Sequence, residues 1–330
     1  YNGFNKIDII GKDRKMKEIF QTIAILSDNK IPVLIQGETG TGKELIARAI
    51  HFYSSYKDKP FIPVNCSAIV PTLFESELFG HEKGAFTGAI YSKKGLFDIA
   101  KDGTIFLDEI AEISPELQAK LLRVLQENEF YRVGGDQVIK TNARIIAATN
   151  KNLWDLVQRG LFREDLFYRL KVAAIYVPPL RERRSDIPLL IEYFVKKINV
   201  LLHKNIKMIE EKALKRMVEY HWPGNVRELQ NVLTYAIMHT RGEKILDEQI
   251  SNLLIKTENS YSNINVKKEE NDFLKNNLLK LKELEKEYIH HILNITNWHL
   301  GKTCEILGIS RPTLRMKIKN FELRKKQQTA

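Results

Sequence analysis

The stretch Ile31–Ile50, IPVLIQGETGTGKELIARAI, decides the fold. An apolar run, Val33, Leu34 and Ile35, breaks at Gly37, and a glycine-dense octet ends in Lys43 and Glu44. A helical pattern follows, with Leu45, Ile46, Ala49 and Ile50 on one face. Strand, Gly-x-x-x-x-Gly-Lys, helix is the layout of a phosphate-binding loop. Gly37, Gly40 and Gly42 let backbone N–H groups of Glu38, Thr39 and Thr41 converge on phosphate oxygens with no Cβ in the way. The helix N-terminus adds its dipole, and Lys43 reaches the β- and γ-phosphates as a point charge. Glu44 stands where Ser or Thr would offer Mg2+ a hydroxyl.

Outward from this loop, strands and helices alternate. A helix is expected over Asp13–Leu26, strands over Phe61–Asn65, Lys101–Glu109, Ala143–Thr149 and Val172–Val177, and helices over Thr72–Phe79 and Pro115–Glu127. A loop is expected around Gly134 and Gly135. This alternation predicts an α/β fold, a parallel sheet with helices on both faces. From Asp186 to about Leu254 only helix is expected. Asn259–Asp272 is polar and aperiodic and reads as a linker. The expected domains are 1–180, 181–256 and 276–330, with 257–275 as linker.

The strand Thr104–Leu107 delivers Asp108 and Glu109 at its C-terminal end, where such sheets bind ligands. Asp108 would hold Mg2+, and Glu109 would polarise an attacking water. Asn150, after Ile145–Ala148, is placed to orient that water or to sense the γ-phosphate.

Length, charge and cysteines bound the rest. The chain has 330 residues, 43% of them hydrophobic, and a net charge of +11, which suits a polyanionic partner. No apolar run is long enough for a membrane span. Cys66 and Cys304 form no metal spacing, and a cytoplasmic protein is expected. Tyr1 is not Met, so the chain is expected to be cut from something longer.

Two further motifs complete the reading. One is Glu77-Leu78-Phe79-Gly80-His81 followed by Gly84-Ala85-Phe86-Thr87-Gly88-Ala89. An exposed Phe and Thr between glycines are costly in water unless they bind something. The other is Leu300–Arg315, where two short helical patterns meet at Gly308, Ser310 caps the second and Pro312 fits its first turn. This is a helix-turn-helix. From Lys302 onward eight basic residues face two acidic ones, which suits phosphate contact. Arg311, Thr313 and Arg315 are candidates for base edges, Lys302, Lys317 and Lys319 for the backbone, and Thr303 and Ser310 complete the DNA-binding set. A stripe of Leu281, Leu284, Tyr288, Ile292 and Ile295 either pairs with its twin in a dimer or packs within the domain.

On these motifs the chain resembles the AAA+ ATPases, and more narrowly the bacterial enhancer-binding proteins that activate sigma-54 RNA polymerase. GETGTGKE, with Glu last, is that family's form of the loop, and GAFTGA is close to its private signature. The resemblance implies an AAA+ sheet domain, an all-helical lid and a Fis-type helix-turn-helix, with ATP and Mg2+ as cofactors. It implies that the GAFTGA loop touches sigma-54 in the polymerase holoenzyme. Asn65 falls where relatives restrain the catalytic glutamate. Arg163 and Arg169 match the arginine fingers, supplied between subunits of a hexamer or heptamer, though either could equally be a surface ion-pair residue. Trp222–Leu229 matches the lid motif, with Arg227 as second sensor, and Ile10 and Gly11 match the adenine pocket. Pro178–Ile187, PPLRERRSDI, matches the joint between sheet and lid. Enhancer DNA is the implied partner of the tail, and a two-component system the implied setting. A DNA-binding repressor with a nucleotide switch, and an unfoldase or helicase, are the rival readings.

Overall fold

In a computed structural model, residues 9–67, 71–255, 281–296, 298–321 and 323 are described. Contacts divide the chain into two units, Tyr1–Leu254 and Ile255–Ala330. The expected linker falls outside the described residues, as do Arg324, Lys325 and Lys326 and the side chains of Leu281 and Leu284.

Five strands, Phe61–Asn65, Thr104–Asp108, Arg144–Thr149, Val33–Gln36 and Ala173–Tyr176, lie side by side in that order, all parallel. Alternate residues point to opposite faces of a strand, and both faces are apolar here. Leu34, Ile105, Leu107, Ile145 and Ala147 pack on the helices Pro71–Phe79, Pro115–Glu127 and Glu164–Leu170. Val33, Ile35, Phe106, Ile146 and Ala148 pack on Arg14–Ser27 and Lys43–Phe52. A sheet covered on both sides needs near-continuous apolar strands, and Arg144–Thr149 is buried at all positions. A second core, built around Trp222, Leu229, Leu233 and Ile191, fills the helical lid.

The expected elements shift in four places. Leu45 is 45% exposed, because the buried face of Lys43–Phe52 runs through Ile46, Ala47, Ala49 and Ile50. Lys101–Gly103 are a turn, and the strand begins at Thr104. The loop around Gly134 and Gly135 closes an antiparallel hairpin, Glu129–Tyr131 with Val138–Lys140. In the lid, expected to be helix only, Met208–Ile209 and Lys244–Ile245 pair as two-residue parallel strands.

In the second unit, the helices Leu300–Leu307 and Arg311–Asn320 meet at Gly308 (φ 63), whose left-handed backbone ends the first helix. The Ser310 hydroxyl accepts from Thr313 N and caps the second helix. The helix Leu281–Ile295 buries Ile289, Ile292 and Leu293, whereas Tyr288 and Ile295, expected in one stripe with Ile292, are 54% and 61% exposed.

Candidate functional site

The parallel sheet brings the ends of its strands to one edge, and the glycine loop, Asp108, Glu109 and Asn150 all sit there. The loop turns back on itself tightly. Gly40 has φ 79, and a Cβ there would lie 2.3 Å from the Gly224 carbonyl oxygen, so no other residue fits. Lys43 is buried, and its Nζ donates to the Gly37 and Glu38 carbonyls at 2.8 and 3.1 Å. Burial pulls the Lys43 ammonium below its ordinary pKa, while Asp108 and Glu109 push it back up. A poorly hydrated cation at the mouth of a glycine loop is a strong attractor for a polyphosphate.

Asp108 is held by its neighbour's backbone: Oδ1 accepts from Glu109 N at 3.0 Å. Burial raises its pKa, and Lys43 opposes that shift. Glu109 adopts φ 57, ψ 44, a left-handed conformation costly for a side-chain-bearing residue. Such strain persists where the surroundings over-determine the backbone. Asn150 Nδ2 donates to Thr39 Oγ1 at 2.9 Å, tying the strand Arg144–Thr149 to the loop tip.

Asn65 lies opposite Asp108 in register. Its Oδ1 accepts from Ser67 N and Ser67 Oγ at 2.9 and 2.8 Å, a local turn that fixes the side chain; an amide restraining a carboxylate would donate through Nδ2. Glu44 is exposed and accepts from Arg48 at 2.7 and 2.9 Å. Ile10 packs on the lid core, and a Cβ on Gly11 would meet Met16 and Asp186, so the two join the first helix to the lid. Arg163 forks onto Asp165 at 2.8 and 3.0 Å, and Arg169 Nε donates to the Leu125 carbonyl at 3.1 Å. Both arginines are exposed, and these bonds run to their own surroundings and not to the loop of the same chain.

Residues without an assigned role carry much of the site. Glu38 receives both arms of Arg181, at 2.5 and 2.8 Å, which holds its carboxyl below the usual range. Asn225, wholly buried at φ 52, donates to Thr39 O at 3.0 Å and to Glu38 Oε2 at 3.2 Å. Val226 N donates to Gly40 O at 3.0 Å. Buried Arg183 donates to Thr41 O at 2.9 Å, and Asp186 Oδ1 accepts from Lys12 N and Asp13 N. Thus the lid grips Glu38, Thr39, Gly40 and Thr41, while Arg227 is exposed beside Gly40. The signal for these residues was their place in PPLRERRSDI and WPGNVREL.

The GAFTGA loop is closed by Gly84 N donating to Ala89 O at 2.8 Å. Gly84 and Gly88 have φ 82 and 102 with open space at the Cβ position, so backbone conformation alone demands glycine. Phe86 is 39% exposed and sets its ring edge against His81 at 5.0 Å; Thr87 is exposed, and Ala89 is buried at the base. Ala85 abuts Gly134 of the hairpin.

In the helix-turn-helix, Lys302, Arg311, Arg315 and Lys319 are exposed, and Thr313 is half-buried. Lys317 Nζ donates to Glu285 Oε1 at 2.5 Å. Thr303 corrects its expected place on the DNA face. It is fully buried, with Oγ1 donating to His299 O and 2.6 Å from Thr296 Oγ1, so its hydroxyl locks the helices together. Ser310 spends its hydroxyl on the helix cap.

The donor set fits Mg2+. Asp108 and Glu109 supply hard oxygens beside a phosphate loop, and among the described residues no cluster of three His, Cys, Asp or Glu forms an all-protein cage. Mg2+ is commonly held by one or two carboxylates plus substrate phosphates.

A five-stranded parallel sheet with a glycine loop, a strand-end Asp-Glu pair and a lid closed on the loop defines an AAA+ nucleotide-binding domain. Residues 9–176 match the sigma-54 interaction domain, 181–266 the AAA+ ATPase lid domain and 280–321 the bacterial regulatory protein, Fis family. The chain therefore belongs to the family of sigma-54-dependent transcriptional activators. It is 44% identical over 313 residues to the regulatory protein AtoC of Escherichia coli (strain K12), covering 95% of this chain and 67% of that protein. It is 51% identical over 250 residues to a Nif-specific regulatory protein of Herbaspirillum seropedicae, covering 76% and 46%. With the nitrogen fixation protein AnfA of Azotobacter vinelandii it shares 43% over 318 residues, covering 96% and 58%. The chain thus spans about half the length of several curated relatives it matches. Among solved structures, NtrX from Brucella abortus in complex with ADP superposes with a TM-score of 0.70 at 33% identity, over 96% of this chain and 70% of that one. The Saccharomyces cerevisiae Hsp104–ADP complex, at 18% identity and TM-score 0.50, shares the fold. Among the described residues no helix is long and apolar enough to cross a membrane.

Proposed function

We propose that this chain hydrolyses ATP in a ring of like subunits and uses the released energy to open promoters held by sigma-54 RNA polymerase. The amides of Gly37–Lys43 and the Lys43 ammonium take the β- and γ-phosphates; Ile10 and Gly11 take the base. Bound Mg2+, held through Asp108, supplies charge neutralisation on the phosphates. Glu109 accepts the proton of the attacking water, with Asn150 orienting it and Asn65 adjusting the glutamate. Arg163 or Arg169 of a neighbouring subunit, freed from Asp165 or Leu125, neutralises charge on the γ-phosphate, a contribution of roughly 10³–10⁵ in rate in related chemistry. Arg227 completes the nucleotide contacts from the lid. The Phe86–Thr87 tip then presses on sigma-54, remodelling the closed complex of the holoenzyme into an open one. The 276–330 domain, through Arg311, Thr313, Arg315 and the flanking lysines, holds enhancer DNA as a dimer.

The observation that carries this reading is the coexistence, in one chain, of a nucleotide edge and a glycine-flanked Phe-Thr tip held out into solvent. Thr87→Ala tests it. The variant should retain ATP hydrolysis within about twofold and lose open-complex formation on a sigma-54 promoter; wild-type levels of open complex would overturn the reading.

A further inference from the structure

The P-loop tip is bonded from two sides. Thr39 Oγ1 accepts from Asn150 Nδ2 on the sheet, and Thr39 O accepts from Asn225 Nδ2 on the lid, at 2.9 and 3.0 Å. Asn225 has nothing in reserve: it is fully buried, and its Oδ1 accepts from Leu180 N at 2.7 Å, at the joint between sheet and lid. Glu38 and Gly40, on either side of Thr39, are bonded to Arg181 and Val226 N. Displacing Thr39 therefore displaces the start of the lid helix Asn225–His239.

We propose that Thr39 is a positioning residue that passes the state of Asn150 to the lid. The idea rests on the nucleotide reading above. A γ-phosphate oxygen is a charged acceptor, and charge-assisted hydrogen bonds are about twice as strong as neutral ones. With ATP present the Asn150 amide leaves the Thr39 hydroxyl for the phosphate; with ADP it stays. The released hydroxyl lets the tip shift, and Asn225 carries the shift into the lid. ATP and ADP thereby give two lid positions through one hydroxyl.

Hydrogen–deuterium exchange over Asn225–His239 tests this, measured on the full chain with ADP and with a non-hydrolysable ATP analogue. Wild type should show a difference in exchange between the two nucleotides. Thr39→Val, nearly the same shape without the hydroxyl, should erase that difference and change the ratio of analogue to ADP affinity by about fivefold, the worth of one hydrogen bond. Thr39→Ser should restore both. Asn225→Gly keeps the left-handed backbone, removes the lid amide and should also erase the difference. Retention of the wild-type difference in either Thr39→Val or Asn225→Gly, or its absence in wild type, overturns the relay. Failure of wild type to bind either nucleotide overturns the nucleotide reading instead.

Discussion

Glu109 follows the strand Thr104–Asp108 in a left-handed backbone, and its charge acts on the buried Lys43 of the glycine loop. Its neighbour Asp108 is also half-buried, and burial raises its pKa while Lys43 lowers it. On the proposed reading, Glu109→Gln keeps shape and hydrogen bonding and removes only the proton acceptor. It should bind ATP with affinity within a few-fold of wild type and release phosphate at least about 10²-fold more slowly, the ordinary contribution of a general base. Phosphate release at the wild-type rate would remove Glu109 from that role. Residues of this kind are readable from sequence because their geometry is local: the loop and the Asp-Glu pair each occupy one short stretch. Asn225 and Arg181 lie in motifs the sequence shows, but their bonds to Glu38 were not readable, because that partner is 187 and 143 positions away. Thr303 shows the converse. An eight-residue helix has too few turns for sequence to say which face it buries, and the hydroxyl points inward.

At the scale of elements, the lid helix Asn225–His239 starts on the P-loop and carries Glu228 into a buried place. Glu228 Oε2 accepts from Gly224 N at 2.8 Å, while Oε1 has no hydrogen-bond partner among the described residues. Burial raises its pKa above the ordinary 4.5. The folded protein therefore holds this proton more tightly than the unfolded chain, and stability from this group falls as pH rises upward from about 4.5 through the folded value. Glu228→Gln should flatten that part of the Tm-against-pH curve and raise Tm at neutral pH by a few degrees; an unchanged slope would show that Glu228 is not the group responsible. The expected helices and strands of the sheet domain were legible because their apolar spacing is long and regular. The hairpin Glu129–Lys140 was not, since three-residue strands separated by glycines leave no periodic signal. The two-residue strands of the lid fall below that limit too. Leu45 and Ile46 are adjacent on a helix, and the pattern could not tell which one faces the sheet.

At the scale of the molecule, three sequence families are strung on one chain: a nucleotide-binding sheet, a lid and a helix-turn-helix. The lid holds the tip of the glycine loop, and the GAFTGA loop stands on a hairpin through Ala85 and Gly134. The glycine loop and the GAFTGA loop therefore lie in the same packed unit, which is what the proposed conversion of bond energy into motion needs. Arg163 and Arg169 are exposed, one paired with Asp165 and the other bonded to the Leu125 carbonyl; on the proposed reading these are the bonds a neighbouring subunit's nucleotide would replace. The central claim is that a charge-bearing γ-phosphate state, formed between subunits, drives the Phe86–Thr87 tip onto sigma-54. It is tested most directly by trapping: purified chain and sigma-54 mixed with ADP and a metal-fluoride phosphate mimic, then separated by size. Co-migration with the mimic and not with ADP alone, lost in Thr87→Ala, is the expected result. Separate migration of the wild-type chain and sigma-54 under the mimic would contradict the account.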